Sequence, residues 1–499
     1  MRIILSFAIA VVIAFGHAYA QELTIGFTSD AVSLDPHMTN DLYSAQVKKQ
    51  IYDTLVIQNE ELELEPGLAE SWEQIDDTTW EFRLREGVAF HNGELLTASD
   101  VKFTLDRLRD PEIGAPAAFL VGFMESVEVV DELTVRINTE FPFAPILSHL
   151  AHTATSILNE TAVTEAGEDY GTEVAVGTGA FSFVLWETAS RIVVERNPDW
   201  WGGEPLPERV VFRPIPDHTV RSIELETGGV DIAYRVDPAD HARLEADPNI
   251  VLAGVETLGT TYLGFNVERE PFDDVLVRQA INHALDVDTI VDVVFEGQGA
   301  RAAGPLSPRV WGANLEMEPY EYDPERAMQL LEEAGYGDGF SATIRVAEQP
   351  PRIQIAEIAQ AQLAELGVDI GLEVLEWGTY LAETAAGNHD MFILGWTTVT
   401  ADADYGLYAL FHSDNFGAAG NRTFYGNDRV DELLDIGRTS TDEQVRFEVY
   451  QEVQQIIRDE APWLFLHFPV ETDGLRTNVE GFVPHPAGHH RLFQVTKTD

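Results

Sequence analysis

The chain has no cysteine. That excludes a disulfide framework, a thiolate nucleophile, a cysteine-based zinc site and a lipidated cysteine anchor. Lysine is nearly missing too: Lys48, Lys49, Lys102 and Lys497 are the whole set, and arginine supplies the other positive charge. With 31 basic against 85 acidic residues, the formal net charge is −54. A surface of that sign repels phosphate backbones and anionic headgroups, which excludes nucleic acid as a partner. The acid runs along the whole chain rather than forming a tail, and 45% of the residues are hydrophobic, enough for an ample core. Such a charge suits salty surroundings, where screening shortens the repulsion. Catalytic signatures are missing as well. No Gly-x-Ser-x-Gly, His-Glu-x-x-His, Walker A or dinucleotide Gly-x-Gly-x-x-Gly pattern occurs. With so many acids, any two carboxylates could be nominated as a glycosidase pair, so that signal carries no information.

One segment is apolar. Met1 to Ala20 holds a single basic residue, Arg2, an apolar run from Ile3 to Phe15, and a small-x-small ending at Ala18-Tyr19-Ala20. This predicts a secretory signal peptide over residues 1–20, cleaved after Ala20. The run is short for a membrane span and nothing later replaces it. With no cysteine to lipidate, the simplest destination is the periplasm, as a freely diffusing protein.

The length predicts two or three domains. Gly and Pro punctuate the chain evenly, with no proline-rich linker, low-complexity block or internal repeat, so crossings between domains must be short. Alternation predicts a strand over Glu22–Thr28, strands within Leu62–Phe90, and a hairpin over Val127–Asn138 turning at Asp131-Glu132. A glycine-rich bend at Gly177-Thr178-Gly179 precedes a strand pair, Phe181–Glu187 and Arg191–Arg196. Helical spacing marks Asp41–Leu55, Asp274–Leu285, Pro324–Ala334 and Ile353–Leu366, the last two closed by Gly335 and Gly367. The mix fits an α/β protein with an accessory β-rich domain.

The stretch Leu84 to Phe103 is the most informative. It reads as a strand, a turn at His91-Asn92-Gly93, and a helix opened by Thr97 with Asp100 three residues on, in a capping-box arrangement. As a string it resembles the signature of the family 5 extracellular solute-binding proteins, the dipeptide, oligopeptide, glutathione and nickel receptors of ABC importers. Leu68-Ala69-Glu70-Ser71-Trp72, Gly177-Thr178-Gly179-Ala180-Phe181, Asn197-Pro198-Asp199-Trp200-Trp201, Tyr262-Leu263-Gly264-Phe265-Asn266, Pro271-Phe272-Asp273-Asp274-Val275 and Tyr322-Asp323-Pro324 extend the resemblance over the mature chain. It implies a large periplasmic binding protein of the type II fold, α/β, with two lobes around a ligand cleft and an inserted accessory domain. The expected boundaries are 21–56, 177–262 and 473–499 for lobe I, 57–176 for the insertion, and 263–472 for lobe II.

The resemblance also implies a function. A small peptide or peptide-like solute would be bound by hinge closure and handed to an ABC permease, by a monomer with no cofactor, no metal and no catalysis. A non-peptide cargo (glutathione, an opine, an oligosaccharide or a chelated metal) is the alternative within the family, and a secreted hydrolase the alternative outside it. Peptide-binding relatives flank the ligand with two tryptophans spaced like Trp377 and Trp396, here expected at the ends of consecutive strands. An indole face covers aliphatic or cationic ligand groups and leaves its N–H free to donate. Those relatives place an Asp three residues after the second Trp, where this chain has Val399. Asp402 and Asp404, on the same loop, are the candidates for the ligand ammonium. Arg352 lies near the position of the relatives' carboxylate-binding Arg. The fold places Ser33-Leu34, Thr178-Gly179 and Tyr262 around the same opening. His485, His489 and His490 cluster near the C-terminus, but the family ends in a similar stretch without metal chemistry. Asn159-Glu160-Thr161 and Asn421-Arg422-Thr423 are glycosylation sequons in pattern only.

Overall fold

A computed structural model describes residues 22–417 and 420–498. The predicted signal peptide and its cleavage site after Ala20 lie outside the described residues. Each lobe is built on one sheet. The first has seven strands, in the order Ile250–Glu256, Val470–Arg476, Ile232–Ala233, Glu22–Phe27, Arg209–Pro214, Arg191–Arg196 and Phe181–Glu187. The second has six: Ala300–Arg301, Trp463–Phe468, Gly259–Phe265, Met391–Thr397, Ser341–Ala347 and Asp369–Leu375. A four-stranded antiparallel sheet (Ala69–Asp76, Thr79–Leu84, Thr134–Thr139, Met124–Asp131) with the helix Ala98–Arg109 forms the inserted unit and has its own core around Phe82, Leu105, Ile137 and Phe143.

Two chain crossings join the lobes. Ile250–Glu256 belongs to the first sheet and Gly259–Phe265 to the second; Trp463–Phe468 belongs to the second and Val470–Arg476 to the first. The crossings therefore fall at residues 256–259 and 468–470, a few residues before the boundaries expected at 262/263 and 472/473. The strands run straight through those expected breaks, their ladders to the neighbouring strands unbroken from Gly259 to Phe265 and from Val470 to Arg476. Thr257 ties the two crossings together: its N–H and its hydroxyl both donate to the Pro469 carbonyl, at 3.2 and 3.0 Å.

Part of the acid excess has a local use. Asp41, Asp217, Asp274, Asp286, Asp323, Asp402 and Asp442 each N-cap a helix and accept a backbone N–H that would otherwise be orphaned. The Leu84–Phe103 signature folds as read. Gly93 N–H donates to Phe90 O at 2.8 Å, closing the turn with Gly93 at φ +88°. Thr97 donates to the Asp100 carboxylate from its N–H and its hydroxyl, at 2.9 and 2.8 Å.

Candidate functional site

The strands Ser341–Ala347, Asp369–Leu375 and Met391–Thr397 are parallel to one another. Their carboxyl ends lie along one edge of the second sheet, the place where open α/β sheets bind ligands. Three of the expected site residues follow from that edge. Arg352 is in the first turn of the helix Pro350–Ala364, Trp377 opens the helix Trp377–Ala385, and Trp396 is in Met391–Thr397. Trp377 is thus a helix residue, not a strand end: Glu376 caps the helix by accepting the Thr379 N–H. The Arg352 guanidinium lies over the Trp377 indole at 5.3 Å, and that ring stacks on Tyr380 at 6.0 Å. Trp396 packs on Tyr405 at 5.2 Å and touches the cores of both the inserted unit and lobe II. The indole N–H groups of both tryptophans, and Arg352 Nη1, are buried without a hydrogen-bond partner among the described residues.

The two lobes meet around Tyr405. Its hydroxyl contacts Asn40 Nδ2 at 3.2 Å and His152 Nε2 at 3.3 Å, and Phe119 stacks on its ring. Gln58 donates to Thr400 O at 3.2 Å, and Ala144 N–H to Arg438 O at 3.1 Å. Lobe II is therefore clasped against both lobe I and the inserted unit.

This arrangement corrects the expected roles of the two aspartates. Asp402 was expected to await a ligand ammonium. Instead Arg446 Nη2 donates to both of its carboxylate oxygens, at 2.7 and 2.9 Å, and Asp402 caps the helix Ala403–Phe411. Burial nevertheless raises its pKa, despite Arg446. Asp404 is 1% exposed and bridges lobe II and the inserted unit, with His149 Nε2 at 3.1 Å and Arg438 Nε at 3.4 Å. Burial would raise its pKa, but Arg438 and His149 outweigh that and hold the carboxyl below its ordinary range. The negative charge of both residues is already matched inside the protein.

The other expected contacts are similarly committed. Tyr262 is 1% exposed, stacked face to face on Trp463 at 3.5 Å, because it sits at the middle of its strand, three residues from either end. Leu34 is wholly buried in the lobe I core, and Ser33 Oγ accepts the Asp35 N–H at 3.1 Å. Thr178 donates its hydroxyl to Asp53, which also accepts both indole N–H groups of Trp200 and Trp201. Gly179 donates to Ile51 O, while its own carbonyl faces His91 Nε2 at 3.0 Å and accepts from Asn197. A side chain at Gly177 would meet Ile51 O at 2.1 Å. These motifs form the joint that fastens the inserted unit to lobe I, and close backbone approach explains the glycines.

The C-terminal histidines are internal. His490 Nδ1 accepts the His485 N–H at 2.9 Å, and His490 Nε2 lies 3.3 Å from Asp473. Among the described residues, no group of three or more His, Cys, Asp or Glu could hold a metal, and no helix is long and apolar enough to cross a membrane. A surface groove of about 580 Å³ between the helices Ala98–Arg109 and Glu160–Ala166 is lined by none of the expected site residues. Sequence reasoning missed Tyr405, Arg446, Arg438 and His149, which carry no local pattern, and Arg422, which stood out only as the middle of a sequon.

Two lobes joined by two short crossings, with a ligand edge between them, define a hinged solute receptor. The comparisons make this specific. The model of the bacterial extracellular solute-binding proteins, family 5 Middle, matches residues 63–418. The chain is 33% identical over 457 residues to the glutathione-binding protein GsiB of Pectobacterium atrosepticum, covering 90% of this chain and 88% of that one. It is also 33% identical over 477 residues to heme-binding protein A of Haemophilus influenzae, covering 90% and 87%. The structure of the ABC transporter-associated periplasmic binding protein DppA from Helicobacter pylori, in complex with the peptide STSA, superposes with a TM-score of 0.90 at 32% identity, covering 96% of this chain and 98% of that one. The chain belongs to the family 5 solute-binding proteins of ABC importers.

Proposed function

We propose that this chain is the periplasmic receptor of an ABC importer for a small peptide or peptide-like solute, secreted with removal of residues 1–20 and working as an unlipidated monomer. The observation that carries the reading is that Arg352, Trp377 and Trp396 stand at or just after the carboxyl ends of neighbouring strands, each with a buried donor that has no hydrogen-bond partner among the described residues. Donors of that kind are left unpaired only at a cost, which a ligand's carbonyls and carboxylate offset. Ligand contacts from both lobes favour the closed form, and the permease reads that form. No bond is broken. The relatives named for peptide and glutathione support this cargo class.

Native mass spectrometry of protein from the osmotic-shock fraction identifies the cargo and shows whether the chain begins at Gln21. Calorimetry then tests the site. Trp396→Ala should weaken binding by ~2–4 kcal/mol, roughly thirty- to a thousand-fold. An unchanged affinity in a folded Trp396→Ala protein rejects the site, and turnover of the peptide rejects the receptor reading. A non-peptide cargo is the second reading, because a relative named for heme is as similar as one named for glutathione.

A further inference from the structure

The inserted unit is fastened to lobe I at the glycine-rich joint, so whatever ties it to lobe II also ties the two lobes together. It meets lobe II through two short turns of helix. Ala118–Val121 carries Phe119, and Ile146–His149 ends on His149. Lobe II answers from two longer helices, Ala403–Phe411 and Asp428–Thr439.

Three contacts interlock there. Tyr405 of lobe II enters the apolar cluster of the inserted unit, where Phe119 stacks on it at 5.8 Å and leaves it 3% exposed. One residue earlier, Asp404 meets His149 Nε2, and the other ring nitrogen of His149 is fixed by the Leu120 carbonyl at 3.0 Å. Arg438 lies between rings of both bodies, with Tyr408 of lobe II at 3.5 Å and Phe143 of the inserted unit at 5.0 Å.

These contacts are interior. The Asp404 and His149 side chains are each 1% exposed, one supplied by lobe II and the other by the inserted unit. Swinging lobe II away would return the Tyr405 ring to water and leave Asp404 with Arg438 alone. A buried aromatic ring is worth far more than an exposed ion pair, and a buried acid that loses a partner is costly. None of these contacts uses Arg352 or Trp377. Trp396 joins them only by packing on Tyr405.

We propose that the inserted unit is the clasp of the receptor, the surface on which lobe II closes, with Tyr405 seated in it and Asp404 paired to His149, so that protein groups hold part of the ligand-free population closed. This rests on the hinged-receptor reading above. Apparent affinity for any solute then scales with the closed fraction, and Phe119, His149 and Tyr405 set it from outside the ligand edge.

The chain has no cysteine, so Val130→Cys on the inserted unit and Leu315→Cys on lobe II, both exposed, give one clean pair of labelling sites. The test is single-molecule energy transfer between dyes at that pair, in protein freed of cargo by unfolding in urea and refolding. The otherwise unaltered chain should show two distances, with at least about a tenth of the molecules at the short one. Phe119→Ala should lower the closed-to-open ratio by about fivefold or more, and Tyr405→Phe by about two- to tenfold. Tyr405→Phe keeps the ring in its pocket, so it tests the clasp even where Phe119→Ala unfolds. A residue that served only local packing would leave the distances and their populations unmoved. Two distances whose populations neither variant shifts therefore reject the clasp and keep the hinge. Unaltered chain found only at the long distance also rejects the clasp alone. One short distance in all three proteins rejects the clasp and the hinge together.

Discussion

Seven histidines make the fold sensitive to mild acid. His37, His152, His389, His467, His485, His489 and His490 are each less than a tenth exposed. Burial holds them neutral: the imidazoles of His152 and His490 fall to about 3, those of His389, His467 and His485 to about 4, and those of His37 and His489 well below the ordinary value. An unfolded histidine takes its proton near pH 6.5. As the pH drops through that value the unfolded chain binds protons that the folded chain refuses. Stability that is complete above about pH 6.5 is therefore lost on the way down, until the folded values near 3–4 are reached. At pH 5.5 each site contributes a loss of about 1.4 kcal/mol, on the order of 7–10 kcal/mol together. Halving that for relaxation and for repulsion among the clustered C-terminal histidines still leaves about 4–5 kcal/mol, a large share of a typical folding free energy. Asp473 opposes the effect. Burial pushes its carboxyl up to about 7, so the folded state holds an extra proton below that pH and gains about 2 kcal/mol at pH 5.5. For a chain of this length the unfolding entropy is on the order of 1 kcal/mol/K, so calorimetric melting at constant ionic strength should show the midpoint falling by roughly 2–4 °C between pH 7.5 and 5.5. Asp473→Asn should steepen the fall. A midpoint that stays level or rises over that range refutes the argument, because it would mean the buried imidazoles are protonated in the folded state.

Other outcomes follow from the joint, the matched acids and the surface charge. Gly177→Ala places its methyl 2.1 Å from Ile51 O, which is backbone and cannot swing away, so urea unfolding should show a loss of about 3 kcal/mol or more. Gly87→Ala, with nothing within 4 Å of the new methyl, should lose only about 1 kcal/mol from its positive φ. Asp402→Asn leaves Arg446 buried without its counter-charge and should destabilise by about 3–5 kcal/mol in denaturant titration, whatever ligand is present. A folded, equally stable Asp402→Asn protein with weaker binding of cationic peptides would restore Asp402 to the ligand. Finally, a net charge of −54 should make the melting temperature rise as salt shortens the Debye length from about 30 to about 8 Å, and a flat response would count against it.

Much of this protein was legible in the chain because it rests on local periodicity and on short motifs. The strand pair Phe181–Glu187 and Arg191–Arg196, the hairpin turning after Asp131 and the Thr97–Asp100 helix start each satisfy their backbone groups within a few residues, so neighbouring residues suffice to specify them. The charge balance and missing cysteine excluded whole classes of chemistry without any fold. Pairing across the molecule was not legible. Asp402 and Asp404 look alike in a loop of a very acidic chain, and only the tertiary structure brings Arg446 to the one and His149 with Arg438 to the other. Tyr262 lies in a motif that suggests the opening, yet its place in the strand turns it onto Trp463 in the core. Arg422 stands in the sequence only as the middle of a sequon, which says nothing of its surroundings in the fold. What singles it out is an Nε buried without a hydrogen-bond partner among the described residues, and a missing partner can be read only once the other residues have their places.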